Sequence, residues 1–179
     1  MDKALVKASK FLSLLLRHQP DTVGLILDDQ GWVDVDELLE KVNAAGRRWD
    51  LELLQQVVAT NDKRRFRFSD DGKRIRANQG HSVDVDLQLE PAEPPELLFH
   101  GTAQRNLQSI LRAGLDKRRR KHVHLSSDRM TAHKVGSRHG SPIVLAIASA
   151  RMYADGLIFF LSDNQVWLTD SVPPEYISY

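Results

Sequence analysis

Cysteine is absent from the 179 residues, and that absence removes disulfide frameworks, Cys-ligated zinc and thiol catalysis together. It fits a reducing compartment. Long hydrophobic runs are missing too: the longest apolar stretches, Leu157 to Leu161 and Ile143 to Ala148, fall far short of the roughly 20 residues that cross a bilayer. With no charged-then-apolar secretory pattern at the N-terminus, a cytoplasmic protein is expected. Charge of one sign is also scarce. The 25 basic and 24 acidic residues leave a net charge of +1, which argues against a sequence-blind polycation but leaves local patches open. Neither Gly-x-Gly-x-x-Gly after a strand nor Gly-x-x-x-x-Gly-Lys-Ser/Thr occurs, so Rossmann and P-loop nucleotide sites are excluded. Internal repeats and low-complexity tracts are lacking as well.

What is present is enough apolar residue, 41%, for a packed core in one large domain or two small ones. Residues 3 to 16 space Leu5, Val6, Phe11, Leu12, Leu14, Leu15 and Leu16 as a helix does, and Pro20 bars its continuation. Arg17 and His18 therefore fall at a helix C-terminus. Asp34 followed by Glu37 reads as a capping box that starts a helix running to about Ala45, with Gly46 as its stop, and Asp50 caps a third helix to about Thr60. Arg65-Phe66-Arg67-Phe68 and Arg74-Ile75-Arg76-Ala77 alternate around Asp70-Asp71-Gly72 as a hairpin. Three helices and a hairpin make a winged-helix layout over residues 1–88. The acidic, proline-bearing stretch between about Val83 and Glu96 reads as a linker, narrowed to 89–96. Residues 97–179 then form a strand-rich α+β lobe. Strands are expected at 97–100, 122–126, 143–148, 157–161 and 165–169, and helices from Gln104 to Ala113 and near 128–135.

Alternation on the hairpin sets Arg65 with Arg67, and Arg74 with Arg76, opposite Phe66, Phe68 and Ile75. With Lys63, Arg64 and Lys73 nearby, this surface attracts phosphates without regard to base sequence, or it is a solvated wing. Arg17-His18 either complements the negative end of its helix or binds a ligand. His100-Gly101-Thr102 is an ordinary turn, or a place where a ligand approaches backbone groups beside a His and a Thr. Arg138 lies in what also reads as an exposed turn. The run Lys117 to Lys121 is a solvated loop or a phosphate contact, with Arg119 the candidate. His122 and His124 match no zinc motif, so no metal site is expected.

Several segments, taken in order, resemble the RNA 2′-phosphotransferase family: Phe11-Leu12-Ser13-Leu14-Leu15-Leu16-Arg17-His18-Gln19-Pro20, Gly31-Trp32-Val33, Asp62-Lys63-Arg64-Arg65-Phe66 and Arg76-Ala77-Asn78-Gln79-Gly80-His81-Ser82. In the second half the likeness continues through His100-Gly101-Thr102, His122-Val123-His124-Leu125-Ser126, Val135-Gly136-Ser137-Arg138-His139-Gly140 and Asn164-Gln165-Val166-Trp167-Leu168-Thr169. The resemblance implies a winged-helix-like RNA lobe and an ADP-ribosyltransferase-like mixed β lobe, with NAD held in the cleft between them. ADP-ribosyltransferases at large commonly place a glutamate where this chain offers Val166. That departure fits the 2′-phosphotransferase branch.

On this resemblance the chain takes an internal 2′-phosphate off RNA such as ligated tRNA, as a monomer that consumes NAD and needs no metal. The RNA phosphate first joins the nicotinamide ribose as nicotinamide leaves. The ribose 2″-hydroxyl then expels the RNA 2′-hydroxyl, giving ADP-ribose 1″,2″-cyclic phosphate. Arg17, His18, Arg65 and Arg138 are the implied catalytic residues; His100, Gly101, Thr102, His124 and Ser126 are expected to hold NAD. Arg64, Arg67, Arg76 and Arg119 are expected on RNA. Competing readings are an NAD-dependent ADP-ribosyltransferase of nucleic-acid ends and a non-catalytic winged-helix nucleic-acid binder.

Overall fold

A computed structural model describes residues 3–179, which divide after Gln88 into two compact units. In the first, α1 (Lys3–Arg17) buries Ala8, Leu12, Leu15 and Leu16 along one face, the i, i+4, i+7, i+8 pattern of an amphipathic helix. The helix closes where the N–H of Gln19 donates to the Leu14 carbonyl at 2.8 Å, just before a 3-10 turn at Pro20–Val23. Helix α2 (Val35–Ala44) starts at Asp34, whose carboxylate accepts from the N–H groups of Asp36 and Glu37 at 2.9 and 3.1 Å. Half of the expected capping box is thus formed. The Glu37 carboxylate pairs instead with Lys41, one turn on, at 3.2 Å. Asp50 caps α3 (Leu51–Ala59) through the N–H of Leu53 at 2.8 Å.

The hairpin pairs β2 (Phe66–Phe68) with β3 (Arg74–Ala77), Arg67 directly opposite Arg76, and turns through Gly72 at φ +71°. A two-residue strand, β1 (Val33–Asp34), lies antiparallel on the other edge of β3. The three helices and this sheet enclose a core that includes Leu12, Leu16, Leu38, Leu54 and Ile75.

In the second unit, β4 (Leu98–Ala103) is the expected strand carried three residues further. A 3-10 turn at Gln104–Asn106 then leads into α4 (Leu107–Ala113). The short strands β5 (Leu115–Asp116) and β6 (Val123–Leu125) precede α5 (Arg129–Gly136), which Asp128 caps through the N–H of Thr131 at 2.7 Å. Next come β7 (Pro142–Ile147), α6 (Ser149–Ala154), β8 (Phe159–Leu161), β9 (Trp167–Thr169), β10 (Ser171–Val172) and β11 (Ile177–Ser178). The strands form antiparallel sheets ordered β11-β7-β4 and β6-β9-β8, with β5 paired to β10. A bridge between Phe99 and Ser126 connects the two larger sheets. Their core includes Leu98, Leu125, Leu145, Ile147 and Phe159. The architecture is α+β.

The stretch expected to be a linker is anchored at several points. The N–H of Asp86 donates to the Asp29 carbonyl at 2.7 Å, and that of Ala92 to Phe159 at 2.8 Å. The Ser149 hydroxyl donates to the Pro95 carbonyl at 2.7 Å. Among the described residues, no helix is long and apolar enough to cross a membrane.

Candidate active site

At the end of α1, the Arg17 carbonyl accepts from the N–H of Ser82 at 2.8 Å and of Val83 at 3.3 Å. Its buried guanidinium lies 6.0 Å from the Phe66 ring centroid. The next residue, His18, places Nδ1 at 2.9 Å from the Ser82 hydroxyl. That hydroxyl also lies 3.4 Å from the Arg17 carbonyl, and whichever way its proton turns it occupies Nδ1 of His18. Ser82 therefore fixes the imidazole, and proton exchange falls to Nε2.

Arg65 is held by Asn61, whose side-chain oxygen accepts from the backbone N–H groups of Lys63 and Arg65 and from Arg65 Nη1, at 3.2, 3.4 and 3.4 Å. The Asn61 amide donates in turn to Ser9 on α1 at 3.0 Å. Burial lowers the pKa of Arg65 from its ordinary value, yet a guanidinium stays cationic in a protein. His18 and Arg65 line one groove of about 420 Å³. Within this unit, Arg17, His18 and Arg65 thus gather around the end of α1 and the entry to β2. Arg64 is exposed on the same loop, at φ +41°.

The basic face of the hairpin is less open than alternation suggests. Arg67, Arg74 and Arg76 stand over the Trp32 ring at 5.2, 5.4 and 4.6 Å, and Arg76 is only 5% exposed, donating to the Gln30 carbonyl at 3.3 Å. Directly opposed like charges repel; the negative face of the indole and a carbonyl oxygen offset that repulsion. Trp32 precedes β1, so the cover comes from a strand distant in sequence.

In the second unit, His100 on β4 donates from Nδ1 to the His124 carbonyl at 3.1 Å, leaving Nε2 as the acceptor of a neutral ring. Burial, first, and the nearby cations Arg120, His139 and Arg118 hold its pKa below 6.5, against the opposing pull of that carbonyl. Arg120 Nη1 lies 2.6 Å from His124 Nδ1. A guanidinium can only donate, so His124 carries its proton on Nε2. One histidine accepts and the other donates, a set suited to ribose hydroxyls and a carboxamide. Thr102 is buried and accepts from Asn106 at 3.1 Å. Ser126 exchanges backbone hydrogen bonds of 2.8 Å with Phe99, which keeps β6 beside β4.

Gly101 has a packing reason that the sequence did not disclose. A Cβ there would sit 1.6 Å from the Ala132 carbonyl oxygen, so glycine is what lets α5 lie on β4. Arg138 occupies an exposed 3-10 turn, Ser137–His139, ahead of β7, and Arg119 is exposed in the loop before β6. Val166 is tied by both backbone groups to Ser162. Among the described residues, no group of three His, Cys, Asp or Glu side chains is arranged to hold a metal ion. Ser82, Asn61 and Arg120 were not singled out by the sequence, although Ser82 ends a family-like segment and Arg120 stands in the basic run Lys117 to Lys121.

A family model described as "RNA 2'-phosphotransferase, Tpt1 / KptA family" matches residues 3–171. The chain belongs to that family. It is therefore placed among the RNA 2′-phosphotransferases as an enzyme. Among its relatives, the protein of Rhodopirellula baltica named "Probable RNA 2'-phosphotransferase" is 58% identical over 99% of this chain and 97% of its own length. Similarly named proteins of Flavobacterium johnsoniae and Agrobacterium fabrum are 55% and 58% identical, over 96% and 95% of this chain and 94% and 91% of theirs.

Proposed function

We propose that this chain removes an internal 2′-phosphate from RNA and consumes NAD in doing so. The observation that carries the reading is the gathering of Arg17, His18 and Arg65 around the end of α1 in a chain matched to the family over residues 3–171. Two fixed guanidinium forks suit a phosphate dianion, because they hold several donors in place and stay charged as negative charge builds on the phosphoryl oxygens. His18, with Nδ1 committed to Ser82, uses Nε2 to protonate the departing RNA 2′-oxygen. Arg138 is assigned a catalytic role because its segment, Val135 to Gly140, resembles the family's.

NAD, when bound, supplies the ribose that takes the phosphate, so that nicotinamide and ADP-ribose 1″,2″-cyclic phosphate leave with the dephosphorylated RNA. His100 and His124 fit it through their paired acceptor and donor, with Gly101, Thr102 and Ser126 beside them on β4 and after β6. The reading takes residues 1–88 as a winged-helix-like RNA lobe, 89–96 as the connection and 97–179 as an ADP-ribosyltransferase-like lobe, in a cytoplasmic monomer. Exposed Arg64 and Arg119 reach RNA phosphates, whereas Arg67 and Arg76 act from the Trp32-backed face.

The test is incubation with 2′-phosphorylated RNA and labelled NAD, followed by identification of both products. Arg17→Ala, His18→Ala, Arg65→Ala and Arg138→Ala are each expected to lower kcat about 100-fold or more, the order of loss seen when one transition-state donor is removed. Arg65→Lys does not restore it, since a point charge lacks the fork. Full activity in all four alanine variants sinks the assignment. ADP-ribose retained on the polynucleotide would mark a transferase of nucleic-acid ends instead.

A further inference from the structure

The groove that ends at His18 and Arg65 is larger than a phosphate requires. It runs beside α1 toward the C-terminal end of α3, has a volume of about 420 Å³, and is floored by Leu5, Val6, Leu14 and Val57, with Lys10 and Lys63 outnumbering one carboxylate, Asp62, among its lining residues. That size is near the lower end of the ~300–1,000 Å³ spanned by small-molecule sites, enough for about one nucleoside. Lys10 also belongs to a longer feature. Lys3, Lys7 and Lys10, all exposed, recur at the i, i+4, i+7 spacing of one helical stripe, and α1 carries no carboxylate to offset them. At about 1.5 Å per residue the stripe extends roughly 10 Å. Like charges at that spacing repel and weaken a helix, so folding alone gives no reason for it.

We propose that this groove and its lysine rim hold the RNA strand that flanks the phosphorylated nucleotide. The inference rests on reading His18 and Arg65 as ligands of the 2′-phosphate, and it adds where the neighbouring nucleotides go. An apolar floor beside a line of cations is what a single strand needs: bases pack on the floor, phosphates meet the rim, and base identity is not read. The rim charge favours a polyanion over an amphipathic protein helix. The groove is continuous with the reacting end, so a strand entering along α1 arrives at the pair that the chemistry uses.

The experiment compares a 2′-phosphorylated trinucleotide with a ten-nucleotide RNA carrying the same phosphate, in the wild-type chain and in Lys7→Glu/Lys10→Glu. The wild type is expected to show a KM about tenfold lower for the longer RNA, and the double variant to lose that advantage. Anisotropy of a labelled ten-nucleotide RNA without the 2′-phosphate should show weaker binding to the variant. With Lys7→Ala/Lys10→Ala, the slope of log K against log salt should fall by about 0.7 for each lysine. Circular dichroism checks that both variants keep their helices. Equal KM values for the two lengths in the wild type, or a length advantage kept by the variant, overturn the proposal. So does an acidic peptide that competes as well as RNA. Should the wild type turn over neither substrate, the proposed reaction fails, and the anisotropy comparison still decides the groove.

Discussion

Ser82 shows how much a single hydroxyl can decide. Its oxygen engages one nitrogen of His18 and so, in the proposed reaction, leaves the other to the phosphate. Ser82→Ala is expected to reduce kcat about tenfold, comparable to the loss of one hydrogen bond to a charged group, while KM for NAD stays unchanged. Ser82→Thr, which keeps the hydroxyl, should recover most of the rate; steady-state kinetics on the three proteins decides it. Asn61 is bound to Arg65 in the same way, and Asn61→Ala should loosen the loop that presents it. Neither partner could be read as such from the sequence. Arg17, His18 and Arg65 stand in segments that resemble a known family, but Ser82 meets His18 across 64 positions and Asn61 meets Ser9 across 52. Local patterns do not record such contacts. Arg120 was equally hidden, because a five-residue basic run gives no hint of which member turns toward His124.

Helices were legible from their ends. Asp34 and Asp50 accept from the expected first-turn N–H groups, and those boundaries hold within a residue or two, whereas the Asp128 cap of α5 came only with the structure. Strands of two residues were not legible: β1, β5, β10 and β11 exist through a partner far along the chain, and α6 is too short for a period to show. The packing of α5 on β4 was also hidden. Gly101→Ala is expected to lower the thermal midpoint, since the new Cβ meets the Ala132 carbonyl oxygen and overpacking of this kind costs about 1–3 kcal/mol or more. Differential scanning calorimetry measures it. Two histidines, one on β4 and one just before β6, add a pH dependence. His100 and His122 both have pKa values pushed below 6.5, chiefly by burial, so the unfolded chain binds protons that the folded chain refuses. Their contribution to stability is full above about pH 6.5 and is lost as pH falls through the lower folded values. The thermal midpoint should therefore drop between about pH 7 and 5, and the slope should flatten in His100→Asn/His122→Asn.

At the scale of the whole chain, a net charge of +1 conceals an all-basic α1 and a clustered arginine face, because acidic residues elsewhere cancel them in the sum. Each unit has its own apolar core. Residues 1–88 produced alone are expected to unfold cooperatively on heating, as followed by circular dichroism; a broad, non-cooperative melt would contradict that. Trp32, with Arg67, Arg74 and Arg76 around its ring, gives the intact protein an optical consequence. Three charges so close set the electric field across a fluorophore, so a polyanion that draws any of them aside changes the colour and yield of its emission. Titration with RNA should shift the fluorescence of the native chain and of Trp49→Phe, but not of Trp32→Phe. The arrangement that lets two opposed arginines share one strand pair should thus also make this protein its own dye-free sensor of nucleic acid.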